Sequence, residues 1–255
     1  ITSITDMTPY LGIDLSYMNA YLKMAKEDKL KIRINAALDL FADIKDVTAK
    51  RAKAEAEGNG FYRIPFLKQF VDGVPGNHTA MMLEDYSDRP GEKGGALLDL
   101  DKLNDAIEAA HLHGMSVRLH ACGDAAVRAA LDGYENAIIR HGRGTSRHQV
   151  EHIEVIDPAD IERFAKAGIM ASVQPEHVVS GMPSFADNNY PEILGPERTK
   201  YTWVFRQLLD TGAVLAGGSD CPVVEGSPFT GIYSGLERLH DDGTPEGGWN
   251  PQEKL

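Results

Sequence analysis

Ser116-Val117-Arg118-Leu119-His120, running through Ala121-Cys122-Gly123 into Asp124 and a helical stretch ending at His141, is the segment whose reading decides the fold. A short β-prone run leads into an amphipathic helix, and Asp124 stands where a helix N-cap belongs. The same rhythm continues on both sides. Downstream, strand His148–His152 precedes helix Pro158–Ala167, with Asp157 as N-cap and Pro158 in the first turn. Strand Ile169–Gln174 leads through the loop Pro175–Pro196 to helix Glu197–Thr211. Strand Ala213–Gly217 and a last helix over Phe229–His240 follow. Upstream, strands Thr2–Asp6, Lys31–Leu38 and Phe66–Val71 alternate with helices Leu15–Glu27 and Asp43–Glu57. The loop Asp72–Leu98 and helix Asp101–His113 lead back to the starting segment. Repeated βα units predict a parallel sheet in an α/β fold of the TIM-type (β/α)8 barrel class. Seven strands are countable, one short of closure. The loops Asp72–Leu98 and Pro175–Pro196 exceed what connection alone requires, so function is expected there.

Length and composition agree with one large core. The chain has 255 residues, 42% hydrophobic and 25% charged, within the ordinary range for a globular domain. The whole of residues 1–255 reads as a single barrel domain. A net charge of −12 argues against a nucleic-acid partner, which demands clustered Lys and Arg. No apolar run is long enough to span a membrane. Two cysteines without a CxxC pair fit a reducing compartment, so a cytoplasmic location is expected. The chain opens on Ile1-Thr2-Ser3 and stops at Lys254-Leu255, which reads as an internal piece of a longer protein, truncated at both ends. The expected partner is a small-molecule substrate, and a homodimer is left open.

In a parallel α/β barrel, reactive side chains gather where the strands end. Lys68, His120, His152 and Asp220 each stand late in, or just after, a different strand. Taken singly, each has a bland reading as a hydrogen-bonded core or capping residue. Taken together, imidazole nitrogen and carboxylate oxygen form a donor set that suits zinc and similar divalent ions.

The succession Lys-x-Phe-x-Asp-Gly at 68–73, His-x-x-Gly-Asp-Ala-Ala at 120–126, Val-Glu-His at 150–152, Gln-Pro-x-His at 174–177, Leu-Gly-x-Glu-Arg at 194–198 and Gly-Ser-Asp-x-Pro at 218–222 resembles the amidohydrolase superfamily. The likeness is nearest to its amidohydrolase-3 branch, which includes enzymes like N-substituted formamide deformylase. The resemblance implies a divalent metal, Zn2+ first among the candidates, at one or two per full-length chain. It implies Lys68 as a lysine that can be carbamylated to bridge two metals, and His120 and His152 as ligands. Asp220 is implied as both a ligand and the group that shuttles the proton of the attacking water. Gln174, His177 and Arg198 fall on the substrate side, and His78 is expected to contact substrate from its place in the loop after strand Phe66–Val71. The family's His-x-His pair at the end of the first strand, and a small β-sandwich domain, are expected outside residues 1–255. His111-Leu112-His113 has the pair's spacing but ends a predicted helix, where residues two apart diverge.

The activity so implied is hydrolysis of a non-peptide C–N bond in an amide, formamide or cyclic amide by metal-activated water. A deaminase or isomerase on the same scaffold is the alternative enzyme, and a regulatory barrel that has lost its metals is the alternative outside catalysis. His148 is expected in the core or behind the ligands, and Cys122 as a buried residue. Asp124 is expected as a helix cap, and Asp72 as orienting Lys68 or its loop.

Overall fold

The computed structural model describes residues 1–7, 16–179 and 188–255. Seven strands follow one another in chain order through one sheet: β1 (Ser3–Asp6), β2 (Arg33–Asp39), β3 (Tyr62–Phe70), β4 (Ser116–Ala121), β5 (Gln149–His152), β6 (Met170–Val173) and β7 (Leu215–Gly217). The pairs β1–β2, β2–β3, β5–β6 and β6–β7 are parallel. Among the described residues, eight helices fall between and after them: α1 (Ser16–Lys26), α2 (Ile44–Glu57), α3 (Leu100–Leu112), α4 (Asp124–His141), α5 (Pro158–Ala167), α6 (Tyr190–Thr199), α7 (Phe205–Asp210) and α8 (Pro228–Glu237). This is the expected α/β class with seven strands.

The chain divides into two compact units, each built from three separate segments. The first comprises Ile1–Gln69, Asp101–Arg118 and Asn136–His148. Its core includes Ile34, Leu38, Val47, Leu67, Leu103 and Ile107. Strand β3 begins earlier than Phe66, because Pro65 does not end it. Asn35 pairs with Arg63, but Ala37 pairs with Phe66, so Ile64 and Pro65 oppose Ala36 alone. A β-bulge of this kind accommodates a residue that cannot donate to the ladder. His111 lies on the buried side of α3 and meets His148: His111 Nδ1 is 3.0 Å from His148 Nε2, and His111 Nε2 is 2.8 Å from the Gly142 carbonyl. The Val117 N–H donates to His148 Nδ1 at 3.2 Å. His148 is therefore a core residue, held as a neutral imidazole.

The second unit comprises Phe70–Leu100, Leu119–Glu135 and Gln149–Leu255, with a core including Val71, Tyr134, Phe164, Val173, Trp203 and Phe205. Helix α5 forms as its caps predict. The Asp157 carboxylate accepts from the Ala159 N–H at 2.8 Å, and Gly168 ends the helix with φ of 64°. The single helix expected over Glu197–Thr211 is instead two. Helix α6 starts earlier, inside the Pro175–Pro196 loop, and kinks at Gly195, where φ is 73° and Pro196 follows. The chain then leaves the helical path at Trp203, whose φ is 49° and whose N–H donates to the Glu154 carbonyl at 3.0 Å. Residues 180–187 of that loop, and residue 15 of the first expected helix, lie outside the described residues. No described helix is long and apolar enough to cross a membrane.

Candidate metal centre

The second unit places the ends of β4, β5 and β6 and the segment after β7 around one group of donors. His120 stands one residue before the end of β4, and His152 is the last residue of β5. Gln174 follows β6 directly and opens the short 3-10 turn Pro175–Val178 that carries His177. Asp220 lies three residues beyond β7. The ligand atoms of His152, His177 and Asp220 are all within 4.8 Å of one another. The rings of His120 and His152 meet edge to face with centroids 4.5 Å apart, and those of His152 and His177 stack with centroids 5.8 Å apart. Three imidazoles thus form a row, with one carboxylate close to two of them.

Backbone strain accompanies this arrangement. His152 has φ of 78°, Ile153 φ of 54° and Asp220 φ of 60°. Left-handed conformations cost non-glycine residues on the order of 1–3 kcal/mol each and concentrate at functional sites. Here they fall at His152, where β5 stops, and at Asp220, three residues beyond β7.

Hydrogen bonding sets the tautomers. His177 bonds to the backbone of Ser219, while its Nε2 is buried and has no hydrogen-bond partner among the described residues. Burial pushes its pKa down to about 4, against the smaller opposing effect of the Ser219 bond. It is therefore neutral near pH 7, with a lone pair on Nε2. His120 Nε2 lies 3.1 Å from the Gly73 carbonyl, which can only accept, so that nitrogen carries the proton and Nδ1 is the unprotonated one.

A second donor group, Asp72, His120 and Cys122, also has its atoms within 4.8 Å of one another, but its chemistry is different. Asp72 accepts three backbone N–H bonds, from Cys122 at 3.0 Å, Gly123 at 2.9 Å and Met81 at 2.9 Å. Burial nevertheless raises its pKa to about 7, the backbone bonds opposing the rise. Asp72 thus pins the long loop to the end of β4. Gly123 allows the same approach: a Cβ there would lie 2.2 Å from the Met81 carbonyl oxygen. Asp124 completes the clamp, accepting from Leu83 N–H at 2.8 Å and from Ala125 N–H at 2.9 Å. The Gly-Asp of the His-x-x-Gly-Asp motif is loop-fixing chemistry.

The remaining expected residues are placed as follows. Lys68 belongs to the first unit, in register with Asp39 of β2, and is 3% exposed. His78 is engaged within its own loop, with Nε2 at 2.9 Å from the Asp88 carboxylate and its ring edge-on to Tyr86. The Arg198 guanidinium donates to the carbonyls of Leu194, Glu84 and Asp85 at 2.9, 3.1 and 2.7 Å, and to Ser87 Oγ at 3.1 Å. Those bonds tie helix α6 to the loop after β3. Gln174 is 5% exposed and its Oε1 has no hydrogen-bond partner among the described residues. Sequence reasoning missed Glu154 and Tyr190. Glu154, buried two residues beyond His152, has its pKa raised to about 7 by burial, and its Oε2 accepts from Tyr190 Oη at 2.5 Å. An acidic residue at the exit of a strand carrying a ligand-type histidine was the available signal.

A family model described as the amidohydrolase family matches residues 1–243. The chain belongs to the amidohydrolase family. Among its relatives, this amidohydrolase is 34% identical over 190 residues to Protein LONG AFTER FAR-RED 3 of Arabidopsis thaliana, covering 74% of this chain and 31% of that protein. It is 32% identical over 252 residues to YtcJ of Bacillus subtilis (strain 168), covering 95% of this chain and 45% of that one. In fold it is similar to the crystal structure of an uncharacterized metal-dependent hydrolase from Pyrococcus horikoshii OT3, with a TM-score of 0.77 and 24% identity over 99% of this chain and 47% of that one. The chain thus spans less than half the length of each of these relatives.

Proposed function

We propose that this chain carries the metal-binding and proton-transfer residues of a hydrolase that cleaves a non-peptide C–N bond, in an amide, formamide or cyclic amide. The observation that carries the reading is the convergence of His152, His177 and Asp220 within 4.8 Å, with a buried Nε2 on His177 that has no hydrogen-bond partner among the described residues. Two nitrogens and a carboxylate oxygen fit a divalent cation such as Zn2+. His120, through Nδ1, is the neighbouring fourth ligand. When bound, such an ion supplies Lewis acidity to water and to a carbonyl oxygen. We assign His177, which the resemblance put on the substrate side, to the ligand set on the strength of its closeness to His152 and Asp220.

The protein's own residues supply the rest. Asp220 takes a proton from the attacking water as the C–O bond forms. It returns that proton to the nitrogen as the C–N bond breaks, leaving a carboxylic acid and an amine. Gln174 offers a buried carbonyl oxygen to a substrate N–H, an interaction that discriminates strongly because that oxygen has no other partner among the described residues. The role of Lys68 as a carbamylated bridge, and hence a count of two ions, rests on the family resemblance.

The test is metal analysis of the full-length protein alongside product analysis with simple amides and formamides. One or two divalent ions per chain, with release of an acid and an amine, is the expected result. Ammonia without an acid product points to a deaminase, and absence of bound metal to a regulatory barrel. His152→Ala should remove most bound metal while the thermal transition persists. Unchanged metal content would remove His152 from the ligand set.

A further inference from the structure

Behind His120 lies a buried chain of polar groups that the hydrolytic reading leaves unused. The N–H at His120 Nε2, which donates to the Gly73 carbonyl, also faces Cys122 Sγ at 3.4 Å, within reach for a hydrogen bond to sulfur. The Cys122 thiol in turn bonds to the side chain of Glu154, and Glu154 Oε2 accepts the Tyr190 hydroxyl at 2.5 Å. Cys122, Glu154 and Tyr190 are 0%, 7% and 5% exposed, so the chain is sealed from water.

The donor order follows from what each group can do. The tyrosine O–H and the thiol S–H both donate to the Glu154 carboxylate. The sulfur, having given its proton toward a carboxylate, becomes the better acceptor for the imidazole N–H. A carboxylate thus acts on the imidazole through one intervening sulfur. Metal-binding histidines commonly donate their second N–H to a carboxylate or carbonyl, which fixes the ring and raises the basicity of the ligating nitrogen. Hydrogen bonds in series strengthen one another in a low-dielectric interior.

We propose that Cys122 is a positioning residue for metal binding, its thiol coupling the His120 imidazole to the buried Glu154–Tyr190 pair. The proposal rests on the reading of His120 as a ligand through Nδ1. It also explains why Cys122, although grouped with Asp72 and His120, is not itself a ligand. Both Asp72 oxygens are already committed to backbone N–H groups, and His120 Nε2 carries a proton. The edge-to-face contact of His120 with His152 ties the orientation of one ring to that of the other, so slack in the chain would be felt by both.

The experiment measures Zn2+ affinity of the full-length protein by chelator competition, for the wild type and for Cys122→Ala, Cys122→Ser, Glu154→Gln and His120→Ala, with thermal melts in parallel. His120→Ala should lose the most. Cys122→Ala and Glu154→Gln should each weaken Zn2+ binding about 10–100-fold. Cys122→Ser, whose hydroxyl can still bridge, should retain most of the affinity. Cobalt-substituted wild type should show no thiolate-to-cobalt charge-transfer band. If Cys122→Ala does not fold, Glu154→Gln and Tyr190→Phe carry the test. Affinities unchanged in the Cys122 and Glu154 variants while His120→Ala loses metal would overturn the positioning role alone. An unchanged His120→Ala would overturn the ligand assignment beneath it. A charge-transfer band that vanishes in Cys122→Ala would make the cysteine a ligand and end the proposal.

Discussion

Acid should destabilise the first unit through His148, and the size of the effect follows from the structure. His148 accepts the Val117 N–H at Nδ1, so its proton sits on Nε2 and is donated to His111 Nδ1; His111 passes its own Nε2 proton to the Gly142 carbonyl. Every nitrogen in the pair is used, and a further proton on His148 would set two N–H groups against each other. Burial first, and then His111 beside it, lowers the His148 pKa to about 3. The folded pKa lies below the unfolded value of about 6.5, so the unfolded chain binds the extra proton between the two. The stabilisation is complete above about pH 6.5 and is lost as pH falls toward 3. Integrated to pH 5, the loss is about 2 kcal/mol, a sizeable part of typical domain stability. The assay is urea unfolding between pH 8 and pH 5 for the wild type and His148→Gln. Glutamine can accept from Val117 and donate to His111, yet does not titrate. The stability gap between the two proteins should narrow by about 2 kcal/mol over that range. A gap that stays constant would refute the assignment of His148 as a buried neutral imidazole.

Other outcomes follow from single contacts. Gly123→Ala should destabilise the protein by at least about 1–3 kcal/mol in urea unfolding, because its Cβ would meet the Met81 backbone rather than a flexible side chain. The same variant should loosen the loop after β3, which hydrogen exchange at Met81 and Leu83 would report. Asp157→Ala should cost about 1 kcal/mol through loss of the α5 cap. Arg163→Ala removes the cation shared by Glu135, Asp132 and Asp160, and leaves Asp160, only 2% exposed, paired with Arg128. Thermal melts should show a loss of about 1–3 kcal/mol, larger than for the exposed pair Lys166–Glu162.

Most of the architecture was legible because it depends on near neighbours in the chain. Strand and helix periodicity, Asp157 before Pro158, and Gly168 after α5 act within a few residues, and the structure realises them where they were expected. The helix expected over Glu197–Thr211 failed for a tertiary reason. Trp203 bonds to the Glu154 carbonyl, and Thr202 forms an isolated bridge with Val155, partners distant in the chain that outweigh local helical preference. Arg198 shows the same limit. Its guanidinium donates to three carbonyls and a hydroxyl, three of the four lying more than 100 positions away in the chain, and no local pattern records those partners.

The sequence by itself determined that histidines, a lysine and an acid would stand at the ends of parallel strands, since strand length and alternation set where each falls. It could not determine which of them meet. That was decided by the turn after β6, which brings His177 to His152 and Asp220, and by Asp72, which spends its carboxylate on three backbone N–H groups. The reason is that ligand geometry depends on where loops of differing length return. That is fixed by packing and buried hydrogen bonds between residues tens of positions apart, and no local pattern records them.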